Sequence, residues 1–373
     1  MATINKSVKL GIIGCGKVAV NRHLPALKSL SEAEVVAAAD VDAERLNRVT
    51  DRFQIDKRFV DYTALLQDPA VEAVGIFVPL QFHCEVALAA LYAGKHLLLE
   101  KPLAISLDEA DQLISEAAKT DRKVLVGFNK RWHRLVRRAR EIVQRGRLGP
   151  VGLINTIHST GHYKRNIPAW RLRREQGGGN IIENGSHFYD MWRFLLQSDI
   201  EEVSAVSRST GQADDEPSIV TARTESGVFL NCVLSDFLPD RNETEIFGQD
   251  CVLRVSLHRF DGLEFIPLHS CAGDLHNRLW NMARFFKELP QGIFQARHGG
   301  DYNASFRAQW QHFIDCIRRG TPVECTLEDG RRALQVALAA VQSASTGQPV
   351  KVAHAPREIL PVSSDATGEG YTD

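Results

Sequence analysis

The chain is short of the features that mark several protein classes. Its longest apolar stretches reach about ten residues, half of the ~20 that a membrane-spanning helix needs, so no membrane partner is expected. Cysteines are few and unpaired in spacing. Cys15, Cys84, Cys232, Cys251, Cys271, Cys316 and Cys325 are odd in number, and no two are spaced C-x-x-C. A disulfide framework and a zinc ribbon are therefore not expected, and no metal site is. Excess charge is absent too: 45 Lys and Arg stand against 46 Asp and Glu. That balance excludes a uniformly basic nucleic-acid binder. The residues from Met1 to Lys6 carry no signal-peptide pattern, and neither internal repeats nor long low-complexity tracts occur. With most thiols flanked by apolar residues, these absences predict a cytoplasmic protein.

What is present fits a globular chain of about two domains, at roughly 100–200 residues each. The sequence has 373 residues, 44% of them hydrophobic and 24% charged. Up to residue 128 two patterns alternate. Apolar runs of strand length lie at Val8–Ile13, Val35–Ala39, Val71–Val78, His96–Leu99 and Val124–Val126. Helix-period segments lie between them at Val18–Leu30, Ala43–Phe53, Phe82–Ala93 and Leu107–Thr120. Continuous apolar strands separated by helices predict a parallel, doubly wound sheet covered on both faces.

The pattern changes after Gly127. A basic helical segment at Arg134–Arg147 precedes short strands at Val151–Ser159, Glu202–Ser209, Ile219–Thr224, Val228–Leu234, Glu243–Phe247, Cys251–Ser256 and Leu263–Ile266. A helix at Asn180–Leu196 is inserted, and helices near Ser305–Arg319 and Glu328–Thr346 close the domain, with Gly347 as the stop of the last. The expected class is α/β: a Rossmann domain over 1–128, then an α+β domain over 129–355 with a mainly antiparallel sheet, then a loose tail over 356–373.

Gly14-Cys15-Gly16-Lys17-Val18-Ala19 reads G-x-G-x-x-A between the first strand and a helix. Glycines there allow a tight turn and close approach of a pyrophosphate, and the helix end, at Lys17 and Val18, favours its charge. Asp40 ends the second strand, 24 residues after Gly16. A carboxylate there accepts from ribose hydroxyls and repels a 2′-phosphate, which predicts NAD rather than NADP. Helix capping is the other role open to Asp40, although Asp42 is placed for it.

Gly11-x-x-Gly14-Cys15-Gly16, Glu100-Lys101-Pro102, Gly177-Gly178-Gly179 with Glu183-x-Gly185-x-His187, and Leu327-Glu328-Asp329-Gly330 through Gly347 resemble the Gfo/Idh/MocA oxidoreductases. The likeness spans roughly residues 7–352. It implies a Rossmann domain, an α/β domain with an open antiparallel sheet, and a homodimer or homotetramer built on that sheet. It also implies that Lys101 is the catalytic lysine, with a cis peptide before Pro102, and that His187 is the catalytic histidine. Histidine suits the removal of a hydroxyl proton near neutral pH.

The likeness places Pro79, His83 and Glu100 near the nicotinamide. Trp170 and Arg171 take positions where the family contacts sugars, and Asn129, Lys130 and Arg131 come within range of the same crevice. One position departs from the family pattern: Glu183 stands where Asp is usual. Its carboxylate reaches one methylene further, to bind a substrate hydroxyl or to order His187; Asp190 is a second group able to orient the ring or its helix.

The balanced total conceals a local excess. Arg122 to Arg174 holds fifteen Lys and Arg and a single acid, Glu141. This run is either a solvated helix face paired with acids elsewhere, or the anchor of an anionic substrate through Lys164, Arg165, Arg171, Arg173 and Arg174. The expected activity is hydride transfer between NAD and a secondary alcohol of a sugar or cyclitol. A non-catalytic dinucleotide-binding regulator and an NAD-dependent glycoside-cleaving enzyme are the alternatives.

Overall fold

Short runs of Val, Leu, Ile and Ala build the first sheet. Strands β1 (Val8–Ile13), β2 (Ala33–Ala39), β3 (Lys57–Phe59), β4 (Ala73–Ile76), β5 (His96–Leu99) and β6 (Val124–Val126) pair in parallel in the order β3-β2-β1-β4-β5-β6. Every residue of β4 and β6 is buried, as a sheet covered on both faces requires. The winding reverses between β1 and β4, which opens a crevice at the strands' carboxyl ends. These features come from a computed structural model that describes residues 7–161, 167–210, 212–268, 274–297 and 299–352.

Helices cover the sheet: α1 (Leu24–Lys28), α2 (Ala43–Phe53), α3 (Tyr62–Gln67), α4 (His83–Tyr92) and α5 (Leu107–Ala117). Asp42 caps α2 by accepting from the Arg45 N–H, and Ser106 caps α5. The segment expected as one helix over Val18–Leu30 is divided. A π-helical turn at Ala19–His23 precedes α1, where Pro25 brings no N–H to the ladder.

The second half forms an eight-stranded sheet, ordered β13-β12-β11-β7-β10-β9-β8-β14. Its strands are β7 (Val151–Ser159), β8 (Ile200–Ser207), β9 (Ser218–Thr224), β10 (Phe229–Ser235), β11 (Arg241–Gly248), β12 (Cys251–Ser256), β13 (Leu263–Pro267) and β14 (Val350–Lys351). All neighbours are antiparallel except β7 and β10. Buried and accessible residues alternate along β9, so one face packs on a core and the other stays open. The helices are α6 (Arg134–Gln144), α7 (Asn180–Glu183), α8 (Gly185–Leu196), α9 (Leu275–Arg297), α10 (Gly300–Arg319) and α11 (Leu327–Thr346).

Three expectations are corrected. The helix over Asn180–Leu196 breaks at Asn184, whose side chain bonds Asn180 and Asp236. Helix α9 was not anticipated; Pro290 lies inside it, and Leu275, Leu279, Met282, Phe286 and Ile293 stay exposed along it. Helix α10 does not close the second domain: Phe306, Trp310, Phe313 and Ile314 belong to the core of the first. Helix α11 straddles both, with Ala333 and Leu334 in the first core and Val336 and Ala340 in the second. The expected loose tail, Cys271, Lys164 and Arg165 lie outside the described residues. Among those described, no helix is long and apolar enough to cross a membrane.

Buried charges tie the two halves together. Arg131, just after β6, donates from Nε to Asp190 of α8 at 2.8 Å and from Nη1 to Asp329 of α11 at 3.0 Å. Asp329 also caps α11 with Thr326 and accepts from Arg193, which donates to Asp199. Removing Arg131 leaves Asp190 with a buried charge and no fork to match it. Arg131→Ala is expected to lower the unfolding free energy by about 3–5 kcal/mol, measured by urea denaturation. A loss under 1 kcal/mol would contradict the bridging role.

Candidate active site

The turn after β1 is shaped by contact and by space. Gly14 has φ +91°, and a Cβ there would lie 2.5 Å from the Phe77 carbonyl oxygen, so no other residue fits. A Cβ on Gly16 would meet nothing within 4 Å. That room, beside the glycine turn and at the start of the Ala19–His23 turn, suits a pyrophosphate. Lys17 is exposed there, and Val18 is half-buried.

Asp40 is buried at the end of β2, where Oδ2 accepts from the Cys15 N–H at 2.7 Å. Arg45 donates to both of its oxygens, at 3.0 and 2.6 Å. Burial raises the Asp40 pKa, but Arg45 and the N–H groups of Asp42 and Cys15 outweigh it, and the carboxyl stays below its usual range. Asp42 does the capping, so Asp40 is not needed for it.

After β5, Glu100 accepts from His23 Nε2 at 2.9 Å and from the Lys101 N–H at 3.2 Å. His23 Nδ1 takes the Trp310 indole N–H at 3.0 Å, which places the ring proton on Nε2. Glu100 is thus held from below by a relay that starts in α10. The Lys101–Pro102 peptide is cis. His83 is buried between two backbone carbonyls, Pro102 O at 2.8 Å from Nδ1 and Val78 O at 3.0 Å from Nε2. Its side chain braces this turn, and Pro79 starts the short turn Leu80–Phe82 alongside it.

Lys101 Nζ crosses to the other domain. It donates to the Glu183 backbone oxygen at 2.8 Å and to Glu183 Oε1 at 2.9 Å. An ammonium has three N–H donors, so one is left to point at a ligand oxygen. Burial raises the Glu183 pKa, but Lys101 and Arg171 overcome it and hold the carboxyl below its usual range. Arg171 Nε lies 3.4 Å from Glu183 Oε1, and its Nη2 donates to Asn184 at 3.2 Å.

Trp170 and Arg171 share one short turn, Ala169–Leu172, packed against the glycine run. A Cβ on Gly178 would lie 2.4 Å from the carbonyl oxygens of both, which explains a residue without a side chain there. Asn180 and Asn184 fasten α7 to the sheet through Glu216 and Asp236.

His187 lies in the first turn of α8, edge-on to Phe128, and its Nδ1 is buried with no hydrogen-bond partner among the described residues. Burial pushes its pKa well below the ordinary 6.5, and Lys101, Lys130, His158 and Arg171 add to the effect. The imidazole is neutral and able to accept a proton.

Two sequence models match this architecture. Residues 8–128 fit that of an oxidoreductase family's NAD-binding Rossmann fold, and residues 140–352 fit that of its C-terminal alpha/beta domain. The chain belongs to the Gfo/Idh/MocA oxidoreductase family. The myo-inositol 2-dehydrogenase of Thermotoga maritima is 27% identical over 359 residues, covering 92% of this chain and 98% of the relative. The same fold occurs in the WlbA dehydrogenase of Bordetella pertussis, solved with NADH and UDP-GlcNAcA, at TM-score 0.78 and 18% identity over 94% of this chain and 99% of that one. It occurs also in an oxidoreductase of Agrobacterium radiobacter, solved with NAD+, L-tartaric acid and magnesium, at TM-score 0.74 and 21% identity over 93% and 99% of the two chains.

The candidate site of this Gfo/Idh/MocA chain brings together Lys101, Glu183 and Arg171, and the charges of Lys101 and Arg171 reach His187. It does not bring Arg131 with them, because that side chain is committed to Asp190 and Asp329. Glu183 contacts Lys101 rather than His187, and Asp190 contacts Arg131 rather than the imidazole. Of the basic run, Arg134 pairs with Glu288 and Asp301, Arg137 with Glu324, and Arg174 with Asp215. Lys130 and His158 face the same interior, and residue type alone did not separate them from their neighbours. His187 is expected to titrate below pH 6.5 by NMR, and Lys101→Met to move that titration upward by removing a nearby positive charge. A ring titrating at or above 6.5 in the parent protein would contradict this site.

Proposed function

We propose that this oxidoreductase interconverts a secondary alcohol and a ketone on a sugar or cyclitol, with NAD as its partner. The observation that carries the reading is Lys101, held across the crevice by Glu183 with a donor to spare, in company with a neutral His187. Gly14, Gly16, Lys17 and Val18 would hold the pyrophosphate; Pro79, His83 and Glu100 would shape the nicotinamide end. Asp40 would accept from the adenosine ribose hydroxyls, which supports NAD over NADP. When bound, the nicotinamide supplies the acceptor for the hydride. Lys101 donates to the substrate oxygen and stabilises charge as it develops there. His187 takes the hydroxyl proton in oxidation and returns it in reduction.

Glu183 keeps the Lys101 ammonium in place and Arg171 beside it. Trp170 offers an aromatic face to the carbon side of a ring substrate. The inositol 2-dehydrogenase relative supports a cyclitol or sugar as substrate. The open face of the second sheet supports a homodimer or homotetramer, and the six free thiols among the described residues support a reducing, cytoplasmic setting.

NADH formation across a panel of polyols, aldoses and cyclitols tests the reading. At least one is expected to turn over, with Lys101→Met and His187→Ala each retaining NAD binding and losing roughly 10²–10⁴-fold in kcat. Turnover unchanged in both variants would refute the assignment.

A further inference from the structure

Lys130 is buried without being neutralised. It follows β6 in the turn Asn129–Trp132, is 4% exposed, and no carboxylate or carbonyl accepts from its ammonium among the described residues. Its ammonium lies instead over the face of Phe188, whose ring centre is 3.9 Å from Nζ. A cation–π contact compensates part of the lost hydration, not all of it. The charged neighbours in sequence behave otherwise: Arg131 and Arg134 have matched acids.

Among the described residues, the groups facing Lys130 give it no counter-charge. They are Lys101 from the turn after β5, His187 from α8, His158 from β7, His258 after β12, His133 after the Asn129–Trp132 turn, and the Cys232 thiol from β10. His158 is buried as well, lies against the same Phe188 ring at 5.0 Å with the Asn242 side chain beside it, and has an Nδ1 with no partner among the described residues. Phe188 directly follows His187, so Lys130 and His158 both contact the residue next to the proposed base.

We propose that Lys130, with His158 beside it, binds a carboxylate of the substrate, so that the sugar or cyclitol turned over is an acid of the uronate or aldonate class. The inference rests on the reading of this crevice as a sugar or cyclitol alcohol site. A carboxylate fits better than a phosphate: it is met by one ammonium and one imidazole, whereas the forks of Arg131, Arg134 and Arg174 are tied up by Asp190, Asp301 and Asp215, and Arg171 lies beside Glu183 and Asn184. Burial, and then the positive Lys101, bring the Lys130 pKa down to about 7. The ammonium form is the one that holds a carboxylate, so binding weakens as pH rises through that value.

The test is calorimetry on the enzyme saturated with NADH, so that no alcohol is consumed. Matched ligands are D-glucuronate and D-glucose, D-galacturonate and D-galactose, and D-gluconate and D-glucitol. In at least one pair the acid is expected to bind about 10- to 100-fold tighter at pH 6, and less so at pH 8. Lys130→Met removes that preference and Lys130→Arg, which keeps the charge, restores most of it. Equal binding within every pair, a preference that survives in Lys130→Met, or tighter binding of glucose 6-phosphate than of glucuronate would overturn the proposal. NADH formation is measured separately. Turnover of neutral polyols with no dependence on Lys130 sinks the carboxylate site alone. A Lys130-dependent carboxylate preference with no turnover of any polyol, uronate or aldonate sinks the dehydrogenase reading alone.

Discussion

The contact between Lys101 and Glu183 joins a strand end of the first sheet to a short helix of the second domain. Both groups are nearly buried, so the pair is worth having only while both partners are present and aligned. Its geometry depends on much of the fold. Lys101 is aimed by the turn that Glu100 and His83 brace, and Glu100 rests in turn on His23 and Trp310. Glu183 is aimed by α7, which Asn180 and Asn184 fasten to Glu216 and Asp236. With Glu183 taking two of its three donors, the ammonium is left with one for a ligand.

A second set of buried charges holds those domains in register. Arg131 lies one residue after Lys130, yet it spends its guanidinium on Asp190 and Asp329. Asp190 sits three residues after His187 on the same helix, so the pair that fixes the domains also fixes the helix that carries the imidazole. Arginine matches two carboxylates at once through its rigid fork, and a lysine cannot. The two adjacent basic residues therefore do different work: one locks the scaffold and the other is left with charge to offer.

Much of this was legible from the residues. Strands β1, β5, β6, β7 and β12 and helix α2 have the bounds expected from their apolar runs and caps. Apolar continuity and helix period are local signals, and in these elements the tertiary packing agrees with them. Strand β3 escaped notice because Lys57-Arg58-Phe59 is short, charged and at a sheet edge. The break at Asn184 is set by bonds to Asp236, fifty-two residues away, which no local pattern carries. The same limit applies at the site. Glu183 was recognised as a candidate, but its choice of Lys101 over His187 depends on how two domains meet. Lys130 and Arg131 are adjacent bases in the sequence, and only the fold shows that Phe188 faces one and two carboxylates the other.

The central claim is that Lys101 and Glu183 act as one unit rather than as two independent contributors. A double-mutant cycle on kcat/KM, with Lys101→Met, Glu183→Gln and the double variant, measures this directly. The account predicts strong non-additivity, with the double variant little worse than Lys101→Met and a coupling of about 1–3 kcal/mol. Losses that add within ~0.5 kcal/mol would contradict it.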